Sequence, residues 1–98
     1  MDLELYAKKR GFYASQFSGS LGDIKGYIDK GIPLIILVDY GFSVVQRNHF
    51  LVVVGYAKDG ILVNSGRKRR ELVRNDELER VWGRSRFWAL AIKPSVYQ

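Results

Sequence analysis

The segment that most constrains the fold is Asn48 to Ser65, NHFLVVVGYAKDGILVNS, which has the pattern of two strands joined by a tight turn. Its first half is a long apolar run rich in the β-branched residues that strands favour. Lys58-Asp59-Gly60 supplies an Asp-Gly pair, which predicts a type I′ hairpin turn because that turn needs positive φ. His49, the only histidine of the chain, opens the first strand, so the hairpin is also the place where chemistry is expected.

The remaining segments predict elements that pack against this hairpin. Ser20 and Asp23 have the spacing of a capping box, which predicts a helix ending at Gly31. The apolar run from Pro33 to Asp39 predicts a central strand buried on both faces. Asn75 is predicted to cap a short helix that ends at Trp82. Further predicted elements are a helix over residues 3–10 and strands over 12–17, 70–73 and 87–92.

Together these elements predict an α+β fold, an antiparallel sheet with flanking helices in one small domain over residues 1–98. The two tryptophans, Trp82 and Trp88, are predicted to pack in the core rather than to line a peptide groove. No apolar run approaches the roughly 18 to 20 residues that span a bilayer, and no signal peptide is visible.

The composition excludes several kinds of site. The chain has no cysteine, so it contains no disulfide, no thiolate metal ligand and no thiol nucleophile. With one histidine and no suitable histidine-carboxylate spacing, we expect neither a metal site nor a cofactor. The net charge of +6 raises nucleic acid as a partner, but the basic residues are scattered among acidic ones, which favours a solvated surface.

Four segments in order resemble one family of peptidases. They are GIPLIILVD over residues 31–39, NHFLVVVGY over 48–56, GILVNSG over 60–66, and LERVW over 78–82 followed by WAL at 88–90. The pattern resembles the bacteriocin-processing, or double-glycine leader, peptidases, the thirty-ninth family of cysteine peptidases, which have a papain-like fold. It is most similar to secreted and lipoprotein members from bacteria, often with tetratricopeptide repeats, in which a basic stretch like Arg67 to Arg70 also follows the histidine strand.

The resemblance implies a partial domain. In the family a catalytic cysteine follows a glutamine at the start of a long helix, whereas neither Gln16 nor Gln46 leads to a cysteine here. The chain is therefore expected to be the C-terminal sheet lobe, without the helical lobe that bears the nucleophile. His49 matches the family's general base. The family's orienting aspartate lies sixteen residues later, where this chain has Ser65, so Ser65 or the neighbouring Asn64 is expected to orient the imidazole.

Two functions follow from this resemblance. The chain is either a peptidase lobe, inactive alone and acting on a peptide or protein once a cysteine-bearing lobe is supplied, or a non-catalytic peptide-binding or structural module of the same fold. Binding of nucleic acid is a weaker third alternative. An uncovered sheet would also favour association with the missing lobe or with a second copy of the chain. The resemblance implies a bacterial parent protein of the periplasm or cell envelope.

Overall fold

Six strands and two helices form the fold in the computed structural model, which describes residues 12–41, 44–66 and 68–94. In chain order they are β1 (Phe12–Ser18), α1 (Leu21–Asp29), β2 (Leu34–Asp39), β3 (Asn48–Ala57), β4 (Gly60–Asn64), β5 (Glu71–Arg74), α2 (Asn75–Gly83) and β6 (Trp88–Pro94). The predicted α+β class is confirmed. The helix predicted over residues 3–10 lies outside the described residues.

The strands form one antiparallel sheet in the order β1-β6-β2-β3-β4-β5, which places β2 in the interior as predicted. Side chains alternate between the faces of a strand, so the register decides which residues share a face. Val38 pairs with His49 and Ile36 with Leu51. His49 therefore lies on the same face of the sheet as the main apolar core.

Both helices cover this face, here called the helix face, which carries Leu34, Ile36 and Val38 of β2. The buried residues that fill the space between the sheet and the helices are Ile24, Leu34, Ile36, Val38, Leu51, Val53, Ile61, Val63, Val73, Leu78, Val81, Trp82, Ala89 and Ala91. Trp82 is 2% exposed and its indole Nε1 donates a hydrogen bond to the Trp88 carbonyl at 2.9 Å. The core thus attaches the C-terminal half of α2 to the sheet.

The opposite side of the sheet is more exposed. Phe50, Val52 and Leu72 lie there and are 54%, 39% and 41% exposed, and we call this side the open face. The part of the open face nearest β1 and β6 is better covered, with Ala14 and Leu90 buried together. The apolar surface therefore lies mainly on β3 and β5.

Local signals set the bounds of the first helix as predicted. The Ser20 hydroxyl accepts a hydrogen bond from the Asp23 amide at 3.1 Å, which caps the N-terminus. At the other end Gly31 has a φ of 74°, the left-handed conformation that ends many helices and that glycine adopts without steric cost.

Two predicted details are wrong. The turn consists of Lys58 and Asp59, and Gly60 is already the first residue of β4. None of these three residues has a positive φ, so the turn is not type I′. Glycine is needed at position 60 for another reason, because a Cβ there would lie 2.3 Å from the Val73 carbonyl oxygen of the neighbouring strand.

The other wrong detail is the cap of α2. Its N-cap is Arg74, without a side-chain capping bond, and Asn75 is the first helical residue. Arg74 pairs with Gly60 across the sheet, which keeps its backbone extended until the helix begins. The strand ladder therefore overrides the local capping preference of asparagine.

Candidate functional site

The site is a cleft lined by His49, at the start of β3, where the sheet meets the N-terminus of α2. The cleft has a volume of about 450 Å³ and is open to solvent. The residues that line it are Tyr40, His49, Leu51, Ser65, Gly66, Lys68, Glu71, Leu72, Val73 and Glu77. They come from two strands, two loops and a helix, so the cleft depends on the tertiary fold rather than on one local motif.

Of the two candidate orienting residues, the structure brings Ser65 to the His49 cleft and directs Asn64 away from it. Asn64 pairs with Val52 and so lies on the open face, whereas the next residue lies on the helix face. The Asn64 side-chain oxygen accepts a hydrogen bond from the Arg70 amide at 2.8 Å. Ser65 lines the cleft, and its hydroxyl accepts from the Lys68 amide at 3.2 Å.

A tyrosine not predicted from the sequence packs beside the histidine. The rings of Tyr40 and His49 have their centroids 5.4 Å apart and are tilted by 56°. Burial raises the pKa of the Tyr40 hydroxyl, and the negative charges of Glu77 and Glu71 raise it further. Tyr40 thus remains a neutral hydrogen-bonding group at physiological pH, next to the imidazole.

The cleft contains charges of both signs. The Glu71 carboxylate lies 4.0 Å from the Lys68 ammonium. Glu77, in the first turn of α2, lies 3.9 Å from the Arg80 guanidinium. Both pairs are solvent-exposed and so hold their side chains only weakly. The cleft therefore presents carboxylates, an ammonium group, hydroxyls and an imidazole.

The loop before His49 is closed by a buried carboxylate. Asp39 is 5% exposed, and its Oδ1 accepts hydrogen bonds from the amides of Gly41 and Arg47, each at 2.8 Å. These amides, Arg47 first and then Gly41, lower the pKa of Asp39 despite its burial, and the Arg84 guanidinium lowers it further. The carboxylate is accordingly charged over the whole physiological pH range.

Within the described residues, no cluster of three or more histidine, aspartate or glutamate side chains is arranged to hold a metal ion. No described helix is long and apolar enough to cross a membrane.

Sequence reasoning missed three contributors to this site. Asp39 was interpreted only as the end of a strand, although a charged residue ending an apolar run is a signal that it binds nearby backbone amides. Tyr40 and Glu77 belong to no sequence motif that would mark them as site residues. Their proximity to His49 depends on how the loop and α2 pack, which the local pattern does not encode.

Comparison with known proteins finds a similarity in structure. No protein-family model matches the chain, and no curated protein sequence matches it. Among solved structures, the crystal structure of a "putative C39-like peptidase" from Bacillus anthracis superposes with a TM-score of 0.74 at 18% sequence identity. The match covers 92% of this chain and 56% of that one, so this chain spans little more than half the length of the protein it resembles.

Proposed function

We propose that this chain, whose fold matches part of a C39-like peptidase, is the histidine-bearing lobe of a cysteine-peptidase site. In this proposal the nucleophilic thiol comes from a segment outside these 98 residues, because the chain itself has no cysteine. The substrate is a peptide or protein bound in the His49 cleft.

The observation that carries the proposal is that His49 and Ser65 line the same cleft. The family pattern expects a general base at position 49 and its orienting partner at position 65, and both residues line the same cavity. Asn64, one residue earlier, lies on the other face of the sheet. The geometry therefore favours Ser65 over Asn64 as the residue that orients the imidazole.

The proposed chemistry begins when a thiol is supplied to the cleft. His49 accepts the thiol proton, and the thiolate attacks the acyl carbon of the scissile peptide bond. The imidazolium then returns that proton to the departing amine, and water, deprotonated by the same imidazole, hydrolyses the thioester. The Ser65 hydroxyl would hold the ring more weakly than a carboxylate does, because it carries no charge to stabilise the imidazolium.

The resemblance to double-glycine leader peptidases suggests the first substrate to test, a peptide with two glycines before the cleavage site. It also suggests a bacterial parent protein of the periplasm or envelope. A cysteine-bearing lobe would have to be joined in the same parent chain or brought by another polypeptide, so that lobe is the first partner we propose.

The test combines gene context with kinetics. The coding sequence upstream of Met1 should encode a glutamine followed within several residues by Cys-Gly, and the longer chain should hydrolyse a double-glycine peptide. His49→Ala in that chain should lower kcat by about 10²- to 10⁴-fold, as loss of a general base does. The absence of a cysteine upstream, together with no hydrolysis, would rule out the enzyme.

Ser65 and Asn64 form a matched pair for the orienting role. Ser65→Ala should lower kcat more than Asn64→Ala. The Ser65 side chain lines the His49 cleft, whereas the Asn64 side chain accepts a hydrogen bond from the Arg70 amide on the other side of the sheet. Equal effects of the two substitutions would argue against an orienting role for Ser65.

The second candidate is a non-catalytic peptide-binding module, and the lack of a cysteine favours it. It predicts that the 98-residue chain binds a peptide with no hydrolysis, and that His49→Ala weakens the binding measured by calorimetry. Nucleic acid is a third candidate, suggested only by the net charge of +6. Support would come from a binding constant whose logarithm falls steeply and linearly with the logarithm of the salt concentration.

A further inference from the structure

The loop between β2 and β3 is fastened at its base by the Asp39 side chain. Asp39 is the last residue of β2 and pairs with Asn48, the neighbour of His49 in the chain. One carboxylate oxygen accepts hydrogen bonds from Gly41 and from Arg47, at the two ends of the loop, both at 2.8 Å. The Tyr40 amide also donates to the Arg47 carbonyl at 2.9 Å. Two of these bonds, both to Arg47, join the two ends of the loop, and the bond to Gly41 fixes the first turn after β2.

An arginine from the end of α2 completes the closure. The Arg84 Nε lies 3.5 Å from the second carboxylate oxygen of Asp39. Another guanidinium nitrogen of Arg84 donates a hydrogen bond to the Gly41 carbonyl. The Arg84 side chain is only 29% exposed, so this contact is partly shielded from solvent. We call Asp39, Gly41 and Arg84 the clamp.

The clamp leaves no room for a side chain at its centre. A Cβ on Gly41 would lie 1.9 Å from the Val45 carbonyl oxygen and 2.7 Å from its carbon. Both are backbone atoms, which cannot move aside as a flexible side chain would. The loop therefore crosses itself closely at Gly41, and this fixes the path of Tyr40 just before it.

The clamp thereby determines where the Tyr40 ring lies. Tyr40 is held between Asp39 and Gly41, and its ring contacts the His49 imidazole with the centroids 5.4 Å apart. The same helix that ends next to Arg84 begins near the cleft, where it contributes Glu77. One helix therefore links the clamp to the far side of the cleft.

We propose that Asp39 and Arg84 are positioning residues that hold the His49 imidazole in its cleft through the Tyr40 ring. Only the benefit of this positioning for catalysis rests on the proposed function, because a base must face a nucleophile at a defined angle to accept its proton. The positioning itself is a property of the 98-residue chain and needs neither thiol nor substrate.

The test uses the single histidine, whose ring signals in NMR spectra of the 98-residue chain have no overlap with another histidine. Arg84→Met keeps most of the apolar stem and removes the guanidinium. We expect it to abolish the cross-peaks between the Tyr40 and His49 rings and to move the His49 ring shifts towards those of a free histidine. Unchanged cross-peaks and shifts in folded Arg84→Met would overturn the proposal.

Arg74→Met is the matched control. Arg74 also pairs with an aspartate, Asp59, at 3.6 Å, but this exposed pair lies at the β3–β4 turn, at the other end of β3 from His49. It should leave the Tyr40–His49 cross-peaks as in the wild type. Loss of the cross-peaks in Arg74→Met as well would show a general loosening of the fold and would contradict a specific clamp.

Arg84→Lys decides the matter if Arg84→Met does not fold. Lysine keeps the charge but cannot present two nitrogens in the fixed geometry that reaches both Asp39 and the Gly41 carbonyl. We expect a partial loss of the cross-peaks, and a spectrum identical to the wild type would refute the clamp. If the longer chain proves inactive, the proposed function fails while these spectra still test the clamp, so the two failures are distinguishable.

Discussion

Replacing Trp82 by phenylalanine tests how α2 is attached to the sheet. This helix contributes Glu77 to the cleft and Trp82 to the core. Trp82 is 2% exposed, and its ring packs edge-on against Phe87 with the centroids 5.2 Å apart. The smaller ring gives up on the order of 40 Å² of buried surface, which costs about 1 kcal/mol at about 25 cal/mol per Å².

The lost hydrogen bond adds a second cost. The Trp82 indole donates to the partly buried Trp88 carbonyl at 2.9 Å, and phenylalanine cannot replace this donor. A buried polar group left without its partner costs about 1 to 3 kcal/mol. The free energy of unfolding of Trp82→Phe should therefore fall by about 2 to 4 kcal/mol relative to the wild type.

Trp88→Phe is the matched control, because the Trp88 indole donates to the Gln16 side chain at 3.1 Å in an exposed bond that water can replace. We expect it to cost about 1 kcal/mol or less. Urea unfolding followed by circular dichroism measures both variants without relying on tryptophan fluorescence. If Trp82→Phe costs no more than Trp88→Phe, the anchoring of α2 by Trp82 is wrong.

Three further predictions concern other parts of the fold. The pKa of Asp39 is lowered by the amides and arginine around it, so its stabilising effect is present above its ordinary pKa of 3.8 and is lost as the pH falls through the lower folded value. Urea titrations should show the difference between wild type and Asp39→Asn shrinking as the solution is acidified below pH 3.8, and a difference independent of pH would contradict this. Gly60→Ala should lower the free energy of unfolding by about 1 to 3 kcal/mol because its Cβ meets the neighbouring strand, whereas Gly26→Ala, in α1 with open space around it, should raise the free energy of unfolding by up to about 1 kcal/mol. Self-association through the open face stays a prediction: light scattering should detect oligomers that Phe50→Asp disperses, and a monomeric wild type would count against it.

The elements of the fold were predictable because their signals are local. Alternation and β-branched runs identified the strands, and the Ser20 cap and Gly31 set the bounds of α1. Details that depend on neighbouring strands were not predictable in the same way. Asp59-Gly60 indicated a type I′ turn, yet Gly60 is required by the approach of the Val73 carbonyl.

The site was predictable only in part. The position of His49 at the start of a strand followed from the sequence. Which of Asn64 and Ser65 lies on the His49 side of the sheet depended on the register of the β3–β4 pair, because adjacent residues face opposite sides. The clamp joins residues 39 and 84, which are far apart in the chain. No short motif relates these two positions, so only the packing of α2 against the sheet brings Arg84 to Asp39.

The most direct measurement of the central claim uses a protein in which this chain is joined to the proposed cysteine-bearing lobe, and it records the alkylation rate of that cysteine. A free cysteine has a pKa near 8.5 and reacts slowly at about pH 6, whereas a thiol beside an imidazole forms the thiolate there and reacts rapidly. We predict rapid alkylation by iodoacetamide in the joined protein and at least about a tenfold slower reaction after His49→Ala. Equal rates with and without the His49 imidazole would contradict its role as the base of a cysteine-peptidase site.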